Sequence, residues 1–495
     1  MQKGEIKKMR KAGILLHISS LPSDYGIGTF GKEAYFFVDF LKKSKQSYWQ
    51  ILPIGPTSYG DSPYQSFSSN AINPYFIDFE ILINQGLLKE EEIYENKIFL
   101  KVDYGFLYAN RFKVLKKAFL RFNHLDAGYQ KFLNENKAWV YDYALFMAIK
   151  KKYDDVSFSF WPIEIILRKK DVILKLEEEL KEEIKFQLFM QYTAYQQFFN
   201  LKKYANENGI KLIGDIPIYV AYDSSDVWVN PELFQVDSNL KLKYVAGVPP
   251  DNFSKEGQLW GNPLYEWENH KKDNYSWWIE KIKHQSNLFD MIRIDHFIGF
   301  ENYYSVAASE KNAINGKWKK GPGIDLFNKL KEKLGKLNII AEDLGVITDD
   351  VRKLLKESGF PGMKLLHNGF YSAQENDYTP YTYEKNTIAY TGTHDNPTTK
   401  EWFENLNEKE LKYCLNYINC QDYEKRIESL IKKTHETKSM LAIIPMQDYL
   451  ELGSDARMNI PATIGGNWVW RLKKDDIKDE LIEKIANWTK LYGRC

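Results

Sequence analysis

The sequence predicts an α/β protein built on a closed (β/α)8 barrel, with a mostly helical inserted subdomain and loop insertions at the carboxyl-end face of the strands. Three observations carry this reading. Eight short apolar runs are spaced along the 495 residues, most of them separated by segments with apolar residues at helical spacing. Strand, helix, strand with a short link starts a parallel sheet, and eight such units favour ring closure over an open doubly wound sheet. One interval, 75–203, has helical spacing throughout and no strand pattern, which marks it as an insertion after strand two. A second insertion, 218–288, follows strand three, and the whole chain, 1–495, then forms a single barrel domain.

In order along the chain, Ala12 to His17 is the first predicted strand and Lys32 to Lys43 the first helix, with Ala34, Phe37, Val38, Phe40 and Leu41 on its apolar face. Tyr48 to Leu52 is the second strand, closed by Pro53 and Gly55. Between the first strand and its helix, Gly26-Ile-Gly28-Thr-Phe-Gly31 matches the spacing of a dinucleotide-binding loop. Pro22 and several loop residues separate it from the strand, and no acid stands about twenty residues on to hold a ribose, so it is read as a glycine-rich loop. Within 75–203, helices are predicted over Phe106 to Phe122, Ala138 to Lys152 and Asp171 to Phe199, the last carrying Glu/Lys pairs. Gln196 to Asn208 is a helix ended by Gly209. The remaining strands are Lys211 to Ile216, Phe289 to Asp295, Leu337 to Glu342, Gly362 to Leu366, Asn386 to Thr391 and Met440 to Ile444. Helices at Ile324 to Leu334, Asp349 to Glu357, from Thr399, from Tyr423 and over Ile477 to Leu491 complete the rhythm.

Composition narrows the partner. The 68 basic and 67 acidic residues leave a net charge of +1, so no field of one sign is available to hold nucleic acid or an anionic membrane. Three cysteines, Cys414, Cys420 and Cys495, form no metal spacing and no disulfide framework, which fits the cytoplasm. The basic start, Met1 to Lys11, leads into no long apolar run, so neither a signal peptide nor a membrane span is expected. Thirty-three tyrosines and thirteen tryptophans exceed what a core needs, and such rings in loops suit a ligand with flat apolar faces and polar edges, such as a sugar. No obligate protein partner is evident.

Barrel enzymes carry their chemistry at the carboxyl ends of the strands. In this sequence those ends hold Asp215 after strand three, Arg293, Asp295 and His296 after strand four, Glu342 and Asp343 after strand five, and His394 and Asp395 after strand seven. Any one of these acids is explained as a turn or helix cap; so many, with an arginine and two histidines at one end of one barrel, indicate a catalytic site. The sequence has no phosphate-binding glycine loop, no His-x-x-x-His, no cysteine cluster and no Gly-x-Ser-x-Gly, so neither a metal nor a cofactor is expected. Carboxylates without a metal, beside aromatic loops, point to glycosyl transfer by a nucleophilic carboxylate and a protonated acid about 5 to 5.5 Å apart if configuration is retained.

The blocks Ile213-Gly-Asp-Ile-Pro-Ile-Tyr-Val220, Asp223-Ser-Ser-Asp-Val-Trp228, Gly247-Val-Pro-Pro-Asp251, Gly257-Gln-Leu-Trp-Gly-Asn-Pro-Leu-Tyr265, Arg293-Ile-Asp-His296, Glu342-Asp-Leu-Gly345 and Gly392-Thr-His-Asp-Asn396 resemble the signatures of the 4-α-glucanotransferases, or amylomaltases. The resemblance runs from Leu15 to Pro461-Ala-Thr and is weakest in the helical insertion. It implies transfer of α-1,4-glucan segments between maltooligosaccharides. It further implies Asp295 as nucleophile, Glu342 as general acid and base, and Asp395 as the carboxylate that grips sugar hydroxyls. Arg293, His394 and Asp215 match the innermost sugar subsite, with His296 beside them and Tyr59 and Trp260 as its stacking residues. The 247–257 loop, which holds Phe253, is expected to act as a lid that keeps water from the intermediate. Competing readings keep the site but use water as acceptor, or make the chain an inactive sugar-binding scaffold; a polymer-docking role for the helical insertion also stays open.

Overall fold

The computed structural model describes residues 10–58, 60–94, 100–250 and 254–495. Twelve strands occur among the described residues: β1 (Lys11–Leu15), β2 (Tyr48–Gln50), β3 (Lys211–Ile216), β4 (Tyr244–Val248), β5 (Gln258–Pro263), β6 (Met291–Ile294), β7 (Asn302–Ala307), β8 (Lys317–Lys320), β9 (Ile339–Ala341), β10 (Gly362–Leu365), β11 (Thr387–Tyr390) and β12 (Leu441–Pro445). Eight of them, β1, β2, β3, β6, β9, β10, β11 and β12, close into a parallel barrel in sequence order, β12 pairing back onto β1. This is the (β/α)8 architecture of the TIM barrel. The barrel strands are apolar nearly throughout because one face meets the barrel interior and the other meets helices. Gly214, in the middle of β3, is needed for that packing: a Cβ there would lie 2.1 Å from the Phe289 ring.

Between β2 and β3 the described chain is helical, and its buried side chains (Leu107, Leu115, Phe146) belong to the same apolar cluster as the barrel residues Ile14, Trp49 and Ile213. The predicted helix Asp171 to Phe199 and its overlapping successor are divided differently. The chain forms Lys170–Glu179, breaks at Leu180 (φ −98°, ψ 12°), and then runs unbroken from Lys181 to Glu207. That long helix packs on Val140–Lys152 in the insertion and on Lys32–Lys43 and β3 in the barrel, so one element ties the two together. Lys150, itself buried, tethers this insertion to the second one, its Nζ 2.7 Å from Asp223 Oδ2.

The other difference is a second sheet. β4, β5, β7 and β8 form an antiparallel sheet in the order β5-β4-β7-β8, half of it contributed by residues that follow barrel strand four, where no insertion was expected. Its outer strand reads Lys317-Trp-Lys-Lys320, too charged to register as a strand, yet lysines are what an exposed sheet edge carries. The predicted barrel strands are also longer than those formed: the strand expected to reach Asp295 stops at Ile294, and the one expected to reach Glu342 stops at Ala341. The charged residues therefore sit just past the ladder, free to turn into the mouth.

Candidate active site

The register of the barrel places Asp215 directly beside Arg293, on β3 and β6. Residues side by side in a parallel pair face the same way. Arg293 Nη1 donates to both carboxylate oxygens of Asp215 (2.8 and 2.7 Å) and Nη2 lies 3.0 Å from Asp295 Oδ1. Burial works against the charge on Arg293, but Asp215 and Asp295 more than offset it and hold the guanidinium protonated. One arginine thus spans two carboxylates, a closed one under it and a more open one above: the Asp295 side chain is 28% exposed and that of Asp215 is fully buried. Tyr64 completes the floor by donating its hydroxyl to Asp215 Oδ2 (2.8 Å).

Glu342 enters from the end of β9 and is buried. Its Oε2 accepts the backbone N–H of His296 at 2.6 Å, and its own carbonyl accepts the N–H of Phe297. His296 itself adopts a left-handed backbone (φ 52°, ψ 47°), which for a residue with a Cβ costs about 1–3 kcal/mol and is held by the surrounding turn. Burial raises the Glu342 carboxyl well above the ordinary glutamate range, and the neighbouring Asp295 charge raises it further; Arg293 and the His296 N–H pull it down without cancelling the shift. A carboxyl raised in this way beside an open carboxylate is suited to carrying a proton. The His296 ring is kept neutral, its pKa lowered to about 4 by burial. Trp260 meets it edge to face at 4.8 Å.

Asp395 follows β11. Its partial desolvation in the mouth would raise its carboxyl, but His394, Asn459 and Arg293 outweigh that and hold it below the ordinary aspartate range. His394 Nε2 lies 3.2 Å from Asp395 Oδ2, and Asn459 Nδ2 donates to Oδ1 at 2.6 Å. Arg457 fixes the backbone by donating to the Asp395 carbonyl at 3.0 Å. With one carboxylate oxygen tied to Asn459 and the side chain still 41% exposed, Asp395 presents a fixed acceptor to the mouth. Asn459→Ala should therefore leave the fold intact and lower kcat about tenfold or more, since a freed Asp395 must be ordered at each turnover. Steady-state kinetics beside a melting curve would check this; unchanged kcat would remove Asn459 from the site.

Of the predicted residues, Asp215, Arg293, Asp295, His296, Glu342, His394, Asp395 and Trp260 gather at one mouth. Tyr59 and Phe253 lie outside the described residues. The same turn contributes Tyr64, whose ring stacks on His394 (5.2 Å, 14° between planes), with Trp468 packed against both. Sequence reasoning missed Tyr64, Trp468, Asn459 and Arg457. Tyr64 was within reach, being the second tyrosine of the Tyr-Gly-Asp-Ser-Pro-Tyr turn, but spacing gives no reason to prefer one ring over the other. Asn459 stands 64 residues from Asp395 and has no local signal at all. No group of three or more His, Cys, Asp or Glu side chains among the described residues is arranged to hold a metal ion.

A barrel mouth with an arginine-braced carboxylate, a buried acid of raised pKa and a clamped third carboxylate defines a carboxylate-pair enzyme of glycosidic-bond chemistry. Comparison with known proteins is specific. The family model described as 4-alpha-glucanotransferase matches residues 16–477, and the chain belongs to that family. A 4-alpha-glucanotransferase of Clostridium butyricum is 49% identical over 487 residues, 97% of this chain and all of the relative. One from Streptococcus pneumoniae is 46% identical, covering 98% of both chains. Among solved structures, the amylomaltase from Streptococcus agalactiae in complex with acarbose superposes with a TM-score of 0.96 at 44% identity, covering 98% of this chain and 99% of its own. The amylomaltase from Corynebacterium glutamicum shares the fold, with a TM-score of 0.78 at 18% identity over 97% of this chain and 75% of that one. The protein transfers segments of α-1,4-glucan, and hydrolysis is not the favoured reading of its site.

Proposed function

We propose that transfer proceeds by a retaining double displacement in which Asp295 is the nucleophile, Glu342 the general acid and base, and Asp395 the binder of sugar hydroxyls. The observation that carries this is the pairing of an open carboxylate on Arg293 with a buried acid whose carboxyl is raised by burial and by that same carboxylate. In the first step an Asp295 oxygen bonds to the anomeric carbon, the bond from that carbon to the 4-oxygen breaks, and Glu342 gives its proton to the departing 4-oxygen. In the second, the Glu342 carboxylate takes the proton of an acceptor 4-hydroxyl, whose oxygen bonds to the same carbon and releases Asp295. Two inversions restore the α configuration. Arg293 holds Asp295 in place for attack, and Asp215 keeps Arg293 there. Donors and acceptors are maltooligosaccharides and longer α-1,4-glucans, with no metal or cofactor, and the enzyme works in the cytoplasm. Among the described residues no helix is long and apolar enough to cross a membrane. The second insertion (218–288) contributes Trp260 to the mouth, and exclusion of water falls to the 247–257 loop, whose ends are pinned where Gly247 and Val248 pair with Leu259 and Gln258.

Transfer and hydrolysis differ in bond accounting. Disproportionation replaces every α-1,4 bond it breaks, so reducing ends stay constant, while hydrolysis adds one per event. From purified maltotriose the enzyme should produce glucose and a ladder of longer oligosaccharides at constant total reducing ends. Measuring reducing ends against time beside a chromatogram decides it. Reducing ends climbing with substrate loss, without longer products, would make water the acceptor.

A further inference from the structure

Away from the mouth, a cleft of about 860 Å³ lies between the helical insertion and the helix Ser276–Leu288, within the ~300–1,000 Å³ range of ligand pockets. Trp139, Phe199 and Trp277 line it; both tryptophans are half-buried, and Phe199 is 40% exposed. Six carboxylates and three lysines share the lining, with amides of Asn230 and Asn287 between them. That balance repels phosphorylated and other anionic ligands, whereas carboxylates and amides accept and donate to neutral hydroxyls. Aromatic faces alternating with hydroxyl-binding groups suit a neutral polyol with flat apolar faces.

The floor is preorganised. Tyr195 Oη lies 2.7 Å from His284 Nε2 and also meets the Asn70 carbonyl, while His284 is kept neutral by burial, its pKa lowered to about 4. Asn70 Oδ1 is buried without a hydrogen-bond partner among the described residues. Asn70 also lines a smaller cavity of about 40 Å³, which shares Ser68, Ser69, Lys281 and Leu288 with the cleft and is lined as well by Tyr64 and Asp215 of the active site. Residues 68–70 and the helix Ser276–Leu288 thus border both cavities.

We infer that this cleft is a second α-1,4-glucan site, holding a remote stretch of a long chain while the mouth works on another part of it. The inference rests on the glucan-transfer reading above and extends it to long substrates. Binding energy gained there lowers KM for polymers and leaves short donors untouched.

The test uses the full-length enzyme, with Trp139→Ala and Phe199→Ala made separately so that one tolerated variant suffices. On an Asp295→Asn background, which stops turnover, each should weaken retardation in native gels containing glycogen by about tenfold in apparent Kd, the loss of one stacking platform. With Asp295 intact, kcat/KM for maltotriose should stay within about twofold while KM for a long maltodextrin rises several-fold. Retardation unchanged in both variants, or KM rising equally for maltotriose and maltodextrin, would overturn the second site. Absence of maltotriose disproportionation in the unsubstituted enzyme would instead overturn the reading on which it rests.

Discussion

Asp295→Asn is expected to fold as the parent does and to lose about four orders of magnitude or more in turnover. The amide is nearly the same size and can still meet Arg293 Nη2 through its oxygen, so packing and the Arg293–Asp215 pair survive. What is lost is the negative charge that bonds to the anomeric carbon. No other acid can take its place: Asp215 is buried beneath Arg293, the Glu342 carboxyl is raised by burial and by Asp295 and so resists ionisation, and Asp395 is held by Asn459 beside His394. Initial rates on maltotriose beside a melting curve measure this. A folded variant that keeps more than about a hundredth of the parental rate would refute the nucleophile assignment.

Glu342→Gln should fail on maltotriose by about a thousandfold or more, yet still form the glycosyl-enzyme from a glucosyl fluoride, because fluoride leaves without a proton. If both donors fail equally, Glu342 is not the acid. The same variant carries a stability signature whose sign follows from burial. The folded-state pKa of Glu342 lies above its unfolded value, so below about pH 4.5 both states are protonated and the carboxyl costs nothing. As pH rises past that value the unfolded chain ionises first, and the wild type loses stability until the folded pKa is passed. Glutamine has no such loss and can still accept the His296 N–H. The Tm of Glu342→Gln should therefore exceed that of the wild type at neutral pH, with the gap closing toward pH 4. A gap that is absent or reversed at pH 7 would mean that Glu342 is not held protonated by its surroundings.

These two carboxylates could be read from the sequence because each follows an apolar run, and in a closed parallel barrel every such run ends at the same mouth. Asp215, Arg293, His296, His394 and Asp395 were legible for the same reason. The helix Ile324–Leu334 was readable to the residue because one apolar face decides it locally. Much else was not written locally. The antiparallel sheet escaped notice because β4, which carries β5 on one edge, pairs on its other edge with β7, which lies beyond barrel strand β6. The clamp on Asp395 depends on Asn459 and Arg457, which reach it only once β12 has returned the chain to the mouth. Tyr64 carries no local mark of its role; the folded loop sets it over His394 and onto Asp215. Periodicity and chain order by themselves determined the barrel, its mouth and the acids that face it, since backbone pairing and apolar burial repeat along the chain. Which partners set the charge and aim of each acid was decided only by tertiary structure, because hydrogen bonds and Coulomb interactions act over a few ångströms between residues the sequence holds far apart.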